Sequence, residues 1–599
     1  MGSLFAVIPR LEAGTEAEAL FQRATRAFER QTEPDPVISN GWSYVASGRR
    51  RNGSGSPVAM DRESGSWLAV AGTVFHQSGN NHTEYLLQQY LKVGAVRLAH
   101  DLDGFFVIIA GNSGAREVVV ISDVVGSLHV YYREFAVGIA LSTSSLALAE
   151  LAAVSLDPVG CQEFLGTGVM YEDRTFYNEV RKLPPATITT FQGGHRAKQE
   201  RYWDLSTLTP ESLSPNQATD LLWETLTSAI SRVNRHFDSI VSDLTGGYDS
   251  RALTAALLHG QKKFATAVSG PATSADVVIS RGLAAMLGLE HIHNPPNPNP
   301  LTAEDLQSSV ELTDGECDVV EYSRVARIHT ELSRRFQVSL NGSFGEVARG
   351  YWWELLFPHI GARRKLDSHK LASKRYALGS CAGLFQPQYR VNLAEHMAGV
   401  VERTISGLES YPNTFQMDAA YLRMRMQRWQ GRIASSTNRI WPCLSPFMFR
   451  TVLETMLQAR HGARERSLLV RLMLAKYQPR LAAYPLEHGY PALPATWKNF
   501  PRFWPLVPYY AGKVVRKLSP RTAVQDQPTE AQRLRTQLWQ LEEVRGLLRP
   551  EAMKSLAVLD RATLATFLDA SQQAGFSQDA AWRRLLTLEW ALAGARVNR

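Results

Sequence analysis

The chain has 599 residues, 44% of them hydrophobic and 20% charged, with a formal net charge of +8 at pH 7. That length exceeds one ordinary core, so two or three domains are expected, and the composition is that of a soluble globular protein. No stretch approaches the roughly eighteen apolar residues of a membrane span, and no basic segment precedes the short apolar run of "MGSLFAVIPR", so neither a membrane span nor secretion is expected and a cytoplasmic enzyme is.

The positive charge is spread along the chain. Its densest run, "SGRRRNGSGS" (Ser47–Ser56), lacks interleaved aromatic residues and reads as an exposed loop, so no nucleic-acid partner is expected. Cys161, Cys317, Cys381 and Cys443 are far apart, without metal-ligand or disulfide-framework spacing, and read as buried thiols in a reducing compartment.

In chain order, the first part is β-rich. Ser66–Phe75, Gly104–Asn112, Arg116–Val124 and Val130–Ser144 are strand-like runs between Gly, Ser and Asn turns, with one helix over Asn81–Gly94. Leu205–Gln217, rich in Ser, Thr and Pro, reads as a linker. From about Ala218 the pattern alternates: helix 218–235, strand 238–244, helix 250–259, strand 263–269, helix 275–287. Such alternation predicts a parallel sheet covered by helices. Beyond about residue 370 the chain reads as mostly helical.

The segment "SDLTGGYDSRALTAALL" (Ser242–Leu258) is a strand entering a glycine turn, then an aspartate and a serine opening a helix. At the carboxyl end of a parallel strand, Thr245, Gly246 and Gly247 can present N–H donors to phosphate oxygens. Asp249 suits Mg²⁺, and the Ser250 hydroxyl can cap the helix and touch phosphate. It is not a Walker loop, because G-x-x-x-x-G-K-[ST] is absent. Taken alone, the segment equally suits a plain strand-to-helix turn with Asp and Ser as caps.

Five segments together carry a resemblance. "LTGGYDSR" resembles the S-G-G-x-D-S pyrophosphate loop of the asparagine synthetase family, which includes β-lactam synthetases and lasso-peptide cyclases. "AVSGPATSADVVISRGLAAMLGLEH" (Ala267–His291), "VSLNGSFGEVARGYW" (Val338–Trp352) and "CLSPFMFRTVLETM" (Cys443–Met456) follow in the family's order, and "FYNEVRKLPPATITTF" is similar to the K-L-P-P turn of its glutaminase domain. The resemblance covers about residues 60 to 490.

It implies an α/β chain. An N-terminal α+β Ntn-hydrolase-like sandwich (1–204), glutaminase-like and expected to be inactive, and a linker (205–217) precede a parallel-sheet adenine-nucleotide α-hydrolase-like (PP-loop) synthetase domain (218–500) and a helical C-terminal extension (501–599). The implied cofactors are ATP and Mg²⁺. Leu244, Thr245, Gly246, Gly247, Asp249, Ser250, Val268, Asn341 and Gly342 are the implied nucleotide-binding positions, and Asp249 and Glu346 the implied catalytic and metal-binding carboxylates.

The departures from the family matter as much. Gly2 and Ser3 stand where the hydrolysing members carry a nucleophilic cysteine. "GTVFH" (Gly72–His76) and "NHTE" (Asn81–Glu84) replace the motifs that hold glutamine, and His76 and His82 read as surface or filler residues rather than a new catalytic pair. Gly345–Glu346 replaces an Asp–Glu pair, so Glu346 either takes over as Mg²⁺ ligand or is only a helix-cap carboxylate. Ser343 and Phe344 lie where β-lactam synthetases carry a tyrosine. Around Tyr484–Pro491, Glu487 and His488 occur where a catalytic lysine is sought, with Lys476 and Lys498 as substitutes. The expected activity is ATP-dependent amide formation without glutamine hydrolysis. It would join a small-molecule or peptide carboxylate to an amine or ammonia, in a biosynthetic pathway and with a partner protein where the pathway supplies one. Amidation of a sugar acid and a nucleotide-binding scaffold are the alternatives.

Overall fold

A computed structural model describes residues 3–10, 14–29, 34–39, 42–48, 56–297, 299–376, 381–506, 529–573 and 575–598. Gly2, residues 49–55 of the basic run and 507–528 of the C-terminal extension lie outside the described residues.

The N-terminal part contains two antiparallel six-stranded sheets. Its strands are β1 (Leu4–Pro9), β2 (Pro34–Ser39), β3 (Tyr44–Gly48), β4 (Val58–Met60), β5 (Trp67–His76), β6 (Leu102–Asn112), β7 (Glu117–Ser122), β8 (Tyr131–Phe135), β9 (Gly138–Ser142), β10 (Arg181–Lys182), β11 (Thr187–Gln192) and β12 (His195–Arg201). One sheet has the order β10-β8-β9-β1-β3-β2 and the other β12-β11-β7-β6-β5-β4.

Period-two alternation explains how they stack. Trp67, Ala69 and Ala71 of β5, Val107 and Ile109 of β6, and Val118 and Val120 of β7 meet Leu4, Ala6 and Ile8 of β1 in one apolar core. The alternate residues, such as Leu68, Val70, Ile108 and Ile121, face a second core shared with the rest of the chain. Because both faces are buried, these strands are nearly continuous apolar runs. That is why they were legible.

Two expectations shift. The run Val130–Ser144 is not one strand but the hairpin β8–β9, turned just before Gly138 at φ +149°. The helix foreseen to end at Gly94 does break there, at a non-helical φ of +79° and ψ of 169°, but a second helical stretch continues the element Thr83–His100.

The expected linker is pinned rather than loose. Leu213 exchanges backbone hydrogen bonds with Gln458 and Arg460, and Ser214 with Gln217 forms a capping box that starts the helix Pro215–His236. The second half is built on β13 (Ile240–Asp243), β14 (Ala265–Ser269), β15 (Glu290–Asn294), β16 (Val338–Leu340) and β17 (Cys443–Leu444). Their order is β15-β14-β13-β16-β17, and every pairing is parallel.

The C-terminal helices Arg561–Ser571 and Asp579–Leu592 bury Leu564, Trp582 and Leu585 in a core that also contains Phe5 and Val7 of β1. All four cysteines are free and buried, as read from the sequence. Among the described residues no helix is long and apolar enough to cross a membrane.

Candidate functional site

Strand β13 lies between β14 and β16, so chain continues to one side of it and returns on the other. Connections diverge at such a point, and a crevice opens at the carboxyl ends of the strands. Here the crevice is a cleft of about 440 Å³, lined by the glycine turn after β13, the turn after β16 and the segment Leu486–Tyr490.

Of the residues singled out in sequence, Thr245, Gly246, Gly247, Asp249, Ser250, Gly342 and Glu346 line this cleft. Leu244, Val268 and Asn341 are not among its lining residues. Leu244 and Val268 are buried, and the Leu244 N–H donates to the Ala267 carbonyl. Asn341 accepts from the Ser343 N–H at 3.1 Å and directs its own amide at the Cys443 sulfur.

The loop's hydrogen bonds differ from expectation. The helix begins at Tyr248, with Gly247 as its N-cap and no side-chain cap hydrogen bond. Ser250 therefore lies inside the first turn, and its hydroxyl is tied to Thr245 Oγ1 (2.9 Å) and to the Thr245 N–H (3.0 Å). The Gly246 N–H donates to Asp276 Oδ1 at 2.8 Å, so a carboxylate takes a donor that the sequence reading assigned to phosphate. The Gly247 N–H donates to Thr245 Oγ1 at 3.2 Å.

The turn after β16 presses against this helix start. A Cβ on Gly345 would lie 2.7 Å from Cγ of Asp249, and one on Gly342 would lie 2.9 Å from the Ser250 nitrogen. An aspartate at 345, as the resemblance would have it, has no room in this packing. Phe344, just before, is held at φ +71°, a backbone region that L-residues avoid. The turn is fastened from behind by buried Arg464, which donates to the Val347 carbonyl at 2.7 Å and forks onto Asp418 at 2.7 and 2.8 Å.

Sequence reasoning missed Arg349. Its Nη2 donates to Asp249 Oδ2 at 2.6 Å, placing a guanidinium beside the carboxylate expected to hold metal. Among the described residues, Asp249 Oδ1 and Glu346 Oε2 are buried without a hydrogen-bond partner. Burial raises the Asp249 carboxyl to about 7, with Arg349 pulling it down and Glu346 pushing it up. Burial also lifts Asp243, at the end of β13, to about 7.

Two unpaired carboxylate oxygens in this cleft are what a hard cation would satisfy. Among the described residues no group of three or more His, Cys, Asp or Glu side chains suits a metal. A cation held by Asp249 and Glu346 would thus complete its shell with oxygens of water or a bound anion. The arrangement can pair an anion with both a divalent cation and the fixed Arg349 charge.

Neither lysine considered in sequence lines the cleft. Lys476 donates to Asp220 at 2.6 Å, and Lys498 lies over the exposed Trp497 ring. Glu487, His488 and Tyr490 do line it. Their segment is anchored by fully buried Arg251, which donates to the carbonyls of Leu481 (3.0 Å), Tyr484 (2.6 Å) and Pro485 (3.0 Å). The arginine after "DS" was the available signal for that anchor.

In the N-terminal part, His76 Nδ1 lies 2.8 Å from Ser78 Oγ, and burial lowers the ring's pKa. His82 is exposed at the start of its helix. Each has a local structural setting.

Residues 68–203 match the family model described as a glutamine amidotransferase domain. This part of the chain, from β5 to just beyond β12, is therefore of glutamine amidotransferase type. No curated protein matches the chain. Solved structures that align with it include the glutamine phosphoribosylpyrophosphate amidotransferase of B. subtilis complexed with ADP and GMP, 10% identical, covering 48% of this chain and 65% of that one, with a TM-score of 0.25. Another is the allosteric regulatory enzyme of purine biosynthesis, also 10% identical, covering 50% of this chain and 82% of that one, with a TM-score of 0.25. Likeness at that level carries no argument about activity.

Proposed function

We propose that the chain is an ATP-dependent amide-bond-forming ligase that adenylates a carboxylate and couples it to an amine or ammonia. The observation that carries this reading is the pair of orphaned carboxylate oxygens, Asp249 Oδ1 and Glu346 Oε2, beside a guanidinium in a cleft at the switch point of a parallel sheet. In the reaction, a substrate carboxylate oxygen attacks the α-phosphorus of ATP and pyrophosphate leaves. The amine nitrogen then attacks the acyl carbon, AMP leaves with the bonding electron pair, and the nitrogen gives up its proton.

Mg²⁺ held by Asp249 and Glu346 would neutralise charge on the departing pyrophosphate. Arg349 is the cleft's fixed cation and takes the charge-stabilising role sought among the lysines. Burial and the neighbouring carboxylates Asp249 and Glu346 pull its pKa in opposite directions, and the net shift is upward, so the guanidinium stays charged. Asp276, now holding the Gly246 N–H, must surrender that donor when a phosphate oxygen enters. Gly2 and Ser3 in place of a nucleophilic cysteine, with Gly72–His76 and Asn81–Glu84 in place of the glutamine-holding motifs, support an amidotransferase-type domain that no longer hydrolyses glutamine. The amine would then come from the substrate itself, as in a lasso-like macrolactam, or from a second small molecule.

One observation favours a second reading. The Arg349–Asp249 ion pair already satisfies half of the carboxylate, as suits a nucleotide-binding scaffold that needs no metal. Exchange of labelled pyrophosphate into ATP separates the two. Supplied with Mg²⁺ and the small-molecule fraction of the native cell extract, wild type should catalyse exchange and Asp249→Ala should not. Tight ATP binding that is indifferent to Mg²⁺, with no exchange, would establish the scaffold instead.

A further inference from the structure

A second cavity, of about 240 Å³, lies between the amidotransferase-type domain and the helical region after residue 390. One wall comes from Val125, Tyr171 and Trp203, the other from Val400, Leu422 and the segment Met424–Arg428. Apart from Val400, which belongs to the helix Leu393–Thr404, the second wall is part of the wide, π-helical stretch Tyr421–Gln430, whose last residue donates to Ser343 Oγ at 2.9 Å in the cleft described above.

The charges of this cavity do not balance. Four arginines line it, Arg201, Arg403, Arg423 and Arg428, against two carboxylates, Glu172 and Asp204. Glu172 is taken by Arg403, at 2.7 and 3.1 Å. Asp204 is shared by Arg201 and Arg423. Burial opposes its ionisation, but hydrogen bonds from Ser206 and the two arginines hold it down at about 2, so it stays charged.

Among the described residues Arg428 donates no hydrogen bond to a carboxylate, although Glu316, Asp173 and Glu172 act on its charge through space. It is 8% exposed, and its Nε is buried with no hydrogen-bond partner among the described residues. A buried guanidinium N–H without an acceptor is unfavourable unless something supplies one. The apolar walls add a face for a small organic body, and the surplus of guanidinium over carboxylate asks for a dianion.

We propose that this cavity is a binding site for a small dianion of phosphate or carboxylate type, with Arg428 as its principal donor, separate from the cleft at the end of β13. Occupied, the site would satisfy Arg428 and tie the two walls together across the domain seam.

The test uses the purified full-length chain in chloride buffer, with inorganic phosphate and malonate as separate probes, each titrated by calorimetry and by thermal shift. Wild type should bind at least one probe; phosphate alone marks a phosphoryl ligand, malonate alone a dicarboxylate. Arg428→Gln should weaken that binding by about tenfold or more, as expected for losing a charge-assisted fork. Its Tm without probe should stay close to that of wild type, because the buried Nε has no acceptor to lose. Arg428→Lys, which keeps the charge but loses the fork, should fall between them. Asp249→Ala should retain the site, which separates it from the proposed nucleotide cleft. Failure of wild type to bind either probe, or unchanged binding in both Arg428 variants, overturns the proposal; so does loss of binding in Asp249→Ala.

Discussion

Asp249 sets the chemistry at the scale of single residues. Its carboxyl, raised to about 7 by burial, must lose its proton to hold a cation. Binding of Mg²⁺–ATP should therefore tighten by about tenfold between pH 6 and pH 8, as the ionised fraction grows. Calorimetry at both pH values checks this, and Asp249→Asn should flatten the dependence. The sign for stability is opposite. A carboxyl whose folded pKa lies above its unfolded value binds more protons when folded, so its contribution is lost as pH rises from about 4 through 7. Asp243, also raised to about 7, behaves alike. Asp243→Asn should raise Tm at pH 8 and leave it little changed at pH 4. Glu346→Gln should lower pyrophosphate exchange by about a hundredfold, the scale of a lost electrostatic contact in the transition state.

At the scale of elements, the cleft depends on two close approaches. Gly345→Ala inserts a Cβ 2.7 Å from Asp249 Cγ, so either the turn or the helix start must move. It should cost about 1–3 kcal/mol of stability by denaturant titration, as overpacking does, and reduce ATP binding beyond that loss. Arg251→Leu leaves the carbonyls of Leu481, Tyr484 and Pro485 without their donor. It should destabilise by about 1–3 kcal/mol and speed hydrogen exchange in residues 484–490.

The elements were largely legible because the strands are apolar runs and the helices carry caps. The helix Ala275–Leu287 was read to the residue, and in the structure Ser274 caps it. Short edges were not. β17 is the two residues Cys443–Leu444, too brief for any periodicity, and β15 carries Glu290, His291 and His293 at the sheet's edge. Of the site, the glycine turn was legible because glycines are read from spacing. Arg349 was not, since its meeting with Asp249 joins residues a hundred positions apart.

At the scale of the whole molecule, the amidotransferase-type domain is locked to the second half by buried charge. Lys182 pairs with Glu316 at 2.8 Å, Tyr131 donates to the same carboxylate at 3.0 Å, and Arg432 links Tyr131 to Asp314. Removing one partner strands the other, so Lys182→Met should cost about 3–5 kcal/mol, and adding Glu316→Gln should restore part of it. Chemical denaturation of the single and double variants checks this.

Composition did not announce that lock, although Lys182 is the lysine of the K-L-P-P turn, because its members gain meaning only when one sheet, the turn after Thr313 and the helix Gly431–Ile440 meet. The central claim, however, is chemical. Wild type and Asp249→Ala would be incubated with ATP, Mg²⁺ and the small-molecule fraction of the native cell extract, and AMP separated from ADP. The account predicts AMP and pyrophosphate from the wild type and neither from the variant. ADP and phosphate as the products, or no Asp249-dependent turnover despite tight ATP binding, would contradict it.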